Sequence, residues 1–205
     1  MDFVAIDFET ATSKWTSVCS MGICVVENNI VKEVKEILIK PVPFEFNEYN
    51  IAIHGITPEM VYNKPTFDKY WAEIKPYLQN KLVIAHNASF DVGALTKTLD
   101  SFGICLPEFE YLCTVKLSQK AYPDLLSHKL NFLGDALGID FSHHTACDDA
   151  YACAMVLVHI LEDFGINSKE ELAEKFEIGI GKVFPGYVEP CRKNKRKNNV
   201  IKKSV

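Results

Sequence analysis

The sequence predicts an α/β chain with a mixed central sheet flanked by helices, and three observations carry that expectation. Strand-like apolar runs alternate with segments of helical period. The second and third runs, residues 18–26 and 30–39, are joined across Asn28-Asn29, a hairpin turn signal. A later run, Leu82-Val83-Ile84-Ala85, is apolar at every position, as a strand covered on both faces requires. A hairpin followed by crossovers gives both antiparallel and parallel pairs.

The elements follow in order. Residues 2–9 form an apolar strand with a late acidic pair. After the hairpin, Pro41 and Pro43 mark a loop, and Thr57-Pro58-Glu59 reads as an N-cap with proline at the first helical position. A helix is expected over 67–79, shortened or kinked by Pro76. Another runs from Phe90 to Phe102 and stops at Gly103; a strand over 110–113 and helices over 114–121 and 129–137 come next. The clearest helix starts near Thr145, with Ala146, Ala150, Cys153, Leu157 and Ile160 on one stripe. Ser168 and Glu171 form a capping-box pattern. Beyond Ile178, the glycines and prolines at 179, 181, 185, 186 and 190 predict irregular structure. The expected organisation is therefore one domain over 1–178 and an irregular basic tail over 179–205.

Charge supports that division. Residues 182–205 carry eight Lys/Arg and one Glu, a local +7, so the net −5 of the whole chain leaves −12 on the rest. A body so acidic repels nucleic acid unless bound cations or a basic segment offset the repulsion. No apolar run reaches the roughly 18 residues of a membrane helix, and the N-terminus has no signal-peptide pattern. The expectation is a cytoplasmic protein with no membrane partner. The seven cysteines lack CxxC spacing and sit mostly among apolar neighbours, which predicts buried reduced thiols.

Three acidic motifs carry the chemistry. In Ile6-Asp7-Phe8-Glu9-Thr10, strand alternation puts Asp7 and Glu9 on one face and Phe8 on the other. Two adjacent carboxylates repel, and a cation relieves the repulsion; a solvated strand end is the plainer alternative. In His86-Asn87-Ala88-Ser89-Phe90-Asp91, Asp91 falls in the first helical turn after a buried strand, where ligands of α/β sheets gather. A carboxylate facing the helix dipole would look the same, and His86 and Asn87 would serve equally to tie down their loop. In His143-His144-Thr145-Ala146-Cys147-Asp148-Asp149, helical phase turns Asp149 inward and Asp148 about 100° away. A buried aspartate needs a partner or a metal. His144 precedes the helix, where it could be catalytic or merely structural. Hard carboxylate ligands favour Mg²⁺ or Mn²⁺, and two such ions with a neutral-range histidine suit phosphodiester hydrolysis. No phosphate-binding glycine loop or serine elbow offers a rival chemistry.

The motifs Asp7-Phe8-Glu9-Thr10, His86-Asn87-x-x-Phe90-Asp91 and His144-x-Ala146-x-x-Asp149, with Ile53-His54-Gly55-Ile56-Thr57 and Cys113-Thr114-Val115-Lys116-Leu117 in support, are together specific. Over residues 2–165 the chain resembles the DnaQ-like DEDDh 3′–5′ exonucleases, nearest to the branch of the proofreading epsilon subunit of bacterial DNA polymerase III and its stand-alone relatives. The resemblance implies a ribonuclease-H-like fold and two divalent ions, Mg²⁺ or Mn²⁺. It implies release of nucleoside 5′-monophosphates from single-stranded or frayed DNA 3′ ends, and it is compatible with a DNA polymerase partner. It puts Asp7, Glu9, Asp91 and Asp149 on the metals and His144 as base, five residues before Asp149, a spacing that His143 lacks. It also implies that Thr10, His54, Ile56, Thr57 and Phe90 contact the terminal nucleotide, with core packing for Phe90 and loop structuring for His54 as alternatives. Two other functions stay open: an RNA 3′-exonuclease of the ribonuclease T or oligoribonuclease type, and a non-catalytic polymerase-associated subunit.

Overall fold

The computed structural model describes residues 1–193. Strand β1 (Phe3–Thr10) lies near the middle of a seven-stranded sheet. It pairs antiparallel with β2 (Val18–Glu27), which pairs antiparallel with β3 (Ile30–Leu38). Asn28 and Asn29 connect β2 to β3 with φ of 52° and 62°, the left-handed pair that a two-residue type I′ hairpin requires. Helices α1 (Glu48–His54), α2 (Pro58–Val61) and α3 (Phe67–Leu78) follow. The helix runs through Pro76 and ends at Leu78, nearly its full expected length, so the proline does not cut it short.

Strand β4 (Leu82–Ala85) inserts parallel to β1, and all four of its residues are buried. Helix α4 (Ser89–Ser101) leads to β5 (Phe109–Cys113), parallel to β4. Helices α5 (Thr114–Ala121), α6 (Leu130–Leu137), α7 (Ala146–Phe164) and α8 (Lys169–Phe176) complete the layers. The Ser168 hydroxyl accepts from Glu171 N, but the Glu171 carboxylate reaches Asn167 N rather than closing the expected box on Ser168.

The chain then runs through β6 (Ile178–Gly179), β7 (Gly181–Phe184), β8 (Tyr187–Glu189) and β9 (Arg192–Lys193). The large sheet has the order β3-β2-β1-β4-β5-β7-β8, and β6 pairs with β9. This corrects the expectation of irregular structure from residue 179. Pro185-Gly186 is the two-residue connection of a hairpin in which Phe184 faces Tyr187, and Gly186 takes φ +79°. Val183 joins the sheet opposite Phe109. The basic run past Lys193 lies outside the described residues.

The mixed sheet and its flanking helices bear out the predicted fold class. One apolar core unites the strands with α3, α4 and α7. Helix α7 is the longest and rests on β1 and β2. All seven cysteines are unpaired and five are buried; Cys105 is exposed and Cys147 half-buried, so burial fails at those two. Among the described residues no helix is long and apolar enough to cross a membrane.

Candidate active site

The site is built on the carboxyl half of β1. Alternation puts Asp7 opposite Gly22 and Glu9 opposite Ser20 on β2, while Phe8 turns to the other face against Phe67, ring centres 6.3 Å apart. Gly22 has a local reason. A Cβ there would fall 1.8 Å from the carbonyl oxygen of Ala146, so only glycine lets the first turn of α7 rest on β2 beside Asp7. That approach delivers Asp149. One ligand oxygen from each of Asp7, Glu9 and Asp149 lies within 4.8 Å of the others.

Asp91 enters from the first turn of α4 and is buried. Its Oδ1 accepts from Phe8 N at 3.1 Å. Its Oδ2 is buried with no hydrogen-bond partner, an arrangement that costs free energy unless a cation supplies what is missing. Burial raises the Asp7 carboxyl well above the usual carboxylate range, helped by Asp91, Asp149 and Glu9. Burial likewise raises Asp91, against two backbone hydrogen bonds that lower it. Burial, then Asp149 and Glu36, pushes Glu9 to about 8. The motif reading did not anticipate Glu36. It sits on β3 opposite Gly22 and accepts from Ser20 Oγ at 3.0 Å, and the hairpin register alone would have placed it near Glu9.

These carboxylates do not repel at no cost, and hard divalent cations fit them. All the donors are oxygens, three converge within ligand distance of one another, and a fourth leaves an oxygen unmatched.

The histidine loop departs from expectation. His143 Nδ1 donates to Asp149 Oδ1 at 2.7 Å, and His144 contributes its backbone N–H to Asp149 Oδ2 at 3.1 Å. The two rings stack at 3.8 Å, and both residues reach solvent, the His143 side chain at 34% exposure. His144 takes φ +74°, a left-handed backbone that histidine adopts more readily than most residues. Spacing singled out His144, and nothing in the sequence signalled that His143 would touch Asp149. Asp148 is occupied by Thr145 Oγ1 at 3.1 Å, consistent with its outward phase.

Asp7, Asp149 and His143 form one side of a cleft of about 570 Å³, with His86, Asn87 and Lys129 among its other walls. Burial lowers the His86 pKa to about 4, and its Nδ1 pairs with Thr114 Oγ1 at 2.9 Å. His54 is buried, and its ring serves the backbone at both nitrogens. Nδ1 accepts from Ile56 N at 3.0 Å, which leaves Nε2 to donate to the Thr10 carbonyl at 3.2 Å. Asn50 donates to the same carbonyl at 2.8 Å. Ile56 is buried with Ala11, Cys19 and Val61. His54 and Ile56 thus brace the end of β1 against α1, whereas Thr57 and Phe90 are half-exposed.

The exonuclease family model RNase_T matches residues 4–157. The DNA polymerase III PolC-type of Clostridium perfringens is 31% identical over 185 residues, 85% of this chain and 12% of that protein. The 3′-5′ exonuclease DinG of Bacillus subtilis is 30% identical over 167 residues, 78% of this chain and 18% of that protein. The chain therefore spans less than a fifth of the length of these relatives. Among solved structures, Exonuclease X in complex with 5′ overhanging duplex DNA superposes with a TM-score of 0.69 at 23% identity, covering 85% of this chain and 99% of that one. The nuclease domain of 3′hExo, a DEDDh family member bound to rAMP, gives 0.69 at 15% identity, covering 82% and 94%. These likenesses support the fold, and the family match with the sequence relatives settles the membership: the chain belongs to the RNase_T exonuclease family and carries a DnaQ-like 3′–5′ exonuclease domain.

Proposed function

We propose that the protein hydrolyses DNA from 3′ ends to nucleoside 5′-monophosphates by a two-metal mechanism, in proofreading or repair. The observation that carries this reading is the buried, unpartnered Oδ2 of Asp91 beside three converging carboxylates. Asp7, Glu9, Asp91 and Asp149 would hold the ions, Mg²⁺ or Mn²⁺. Divalent ions held there would supply electrostatic stabilisation of the attacking and leaving oxygens of an in-line displacement. The chain's own residues do the rest. His144 takes the proton from the attacking water. Asp149 fixes the loop that carries His144 by accepting its backbone N–H. His54 and Asn50 hold the Thr10 carbonyl, so the end of β1 is rigid where the terminal nucleotide would lie. Thr57 and Phe90 would contact that nucleotide.

A second assignment of the base has its own observation. His143, not His144, lines the cleft and touches Asp149 through its ring. In that contact His143 holds one oxygen of a carboxylate that would also ligate a cation. We retain His144 because its spacing matches the family pattern.

The test uses 5′-labelled oligonucleotides of one sequence as DNA and RNA, single- and double-stranded, with Mg²⁺ or Mn²⁺. Stepwise shortening from the 3′ end, faster on DNA, is expected. A strong RNA preference would replace DNA with RNA as the substrate. Intact strands throughout, unchanged by Asp7→Ala, would instead favour a non-catalytic binding subunit.

A further inference from the structure

An exposed tryptophan, Trp15, packs against α4, the helix whose first turn carries Asp91, and the hydrolytic chemistry leaves it unused. Trp15 belongs to the connection between β1 and β2, residues 11–17, which is braced internally. Ala11 N donates to Ser17 O at 2.7 Å, Thr12 N donates to Ser17 Oγ at 3.0 Å, and Ser17 Oγ donates to Lys14 O at 2.6 Å. The indole is 36% exposed although its loop is fixed.

The ring rests on α4. Phe90 meets it edge-on, with centres 5.9 Å apart and planes at 77°. Lys97 Nζ lies 4.1 Å from the ring centre. Gly93 makes the approach possible, because a Cβ there would come within 2.1 Å of indole Cζ3. Phe90, Gly93 and Lys97 are spaced three and four apart and share one helix face. All three therefore hold the indole from α4, and the ring remains 36% exposed with Lys97 over it. Lys97 stands seven residues past Phe90, about 10 Å along the helix, and Phe90 directly precedes the ligand candidate Asp91.

We infer that Trp15, with Phe90 at its edge and Lys97 against its ring, is a base-stacking surface for an unpaired nucleotide near the 3′ end. The inference rests on the nuclease reading above and adds how the end is gripped. Every base has a π-face, so an exposed indole binds bases with little regard to sequence. A base inside a duplex has both faces covered by its neighbours, so the surface favours single-stranded or frayed ends. Lys97, over the ring, fixes the indole through a cation–π contact.

The chain has two tryptophans, Trp15 and Trp71. In a Trp71→Phe protein, with Ca²⁺ as the divalent ion, the emission of Trp15 reports its contacts. A single-stranded oligonucleotide is expected to quench it, and an abasic residue at one position near the 3′ end is expected to abolish the quench. In the otherwise unaltered chain, Trp15→Ala should raise the Kd for single strands about tenfold and for blunt duplexes less than twofold, with Trp15→Phe recovering most of the loss. Gly93→Ala should reproduce the defect although alanine favours a helix. Unchanged Kd and emission would overturn the inference, as would an equal loss for single strands and duplexes, the mark of a purely structural role. If the parent protein bound neither DNA nor RNA, the nuclease reading itself would fall, and the stacking surface with it.

Discussion

The two ends of the parallel strands handle carboxylate charge in opposite ways. At the amino ends of β4 and β5 lies a cleft of about 340 Å³ lined by Lys81, Glu108, Glu110, Lys169 and Lys182. Its central carboxylate, Glu110, contacts Lys169 Nζ and lies 3.5 Å from Lys182 Nζ. The hydrogen bond from Lys169 holds Glu110 below the usual carboxylate range. At the carboxyl ends, Asp7, Glu9 and Asp91 have no lysine or arginine partner among the described ion pairs and are all pushed upward. One cleft is charge-matched by its own side chains. The other is left frustrated, and such frustration persists where a ligand or a reaction uses it.

The largest expected effect tests that contrast directly. Asp7→Asn removes one charge and one ligand while keeping the shape. Turnover should fall roughly 10³-fold, the rate equivalent of the several kcal/mol that paired ions contribute. Metal-free stability should rise, because repulsion is relieved. A saturating divalent ion should raise the melting temperature of the parent by about 5–10 °C, as expected at about a hundredfold excess over Kd for a domain of this size, and that of Asp7→Asn by much less. An equal thermal gain in both proteins would mean that the ion binds elsewhere.

The histidine loop comes second. His144→Ala should lower kcat by about 10²-fold or more and leave the metal-induced thermal shift nearly intact. His143→Ala should change kcat much less and weaken metal binding slightly, since Asp149 loses the hydrogen bond that orients it. The reverse ranking of kcat would transfer the role of base to His143.

What the sequence revealed follows from the range of the forces involved. Asp7 and Glu9 were legible because strand period is local, and Asp149 was chosen over Asp148 by helical phase alone. Asp91 followed from a buried strand running into a helix. The contact of His143 with Asp149 was not legible, because it depends on the left-handed backbone at His144, which no spacing encodes. Strand β7 was missed because its pairing with β5 spans about seventy residues, and Pro185-Gly186 reads the same whether it ends a structure or turns a hairpin. Helix α1 was missed among prolines, although Asn47 caps it by accepting from Tyr49 N at 2.8 Å.

The response to pH differs in sign between the two clefts. Glu9 titrates near 8 in the folded protein and near about 4.3 in an unfolded chain. Between those values the folded state holds more protons, so metal-free stability falls as pH rises. His86, lowered to about 4 by burial, works the other way below about 6.5. The window from about 6.5 to 8 therefore isolates the carboxylates: in EDTA the melting temperature should drop across it, and saturating Mg²⁺ should flatten the drop. A rise in EDTA would show that the cluster is not frustrated. The Glu110 contribution has the opposite sign. It is present above the usual carboxylate range and is lost as pH falls through the depressed folded value.

The smallest effect belongs to the matched cleft. Glu110 is partly exposed, with Lys169 and Lys182 also reaching solvent, and such pairs contribute about 1 kcal/mol or less. Glu110→Gln keeps the side-chain length and one acceptor oxygen for Lys169. It should lower the melting temperature by no more than about 2–4 °C and leave nuclease turnover and the metal-induced shift at parental values. The value of the experiment lies in its asymmetry with Asp7→Asn: the same loss of one negative charge should destabilise the protein slightly at one end of the sheet and stabilise the metal-free protein at the other. If Glu110→Gln also stabilised it, the two lysines would not be matching that carboxylate. The distinction between a charge-balanced and a charge-frustrated cleft would then collapse.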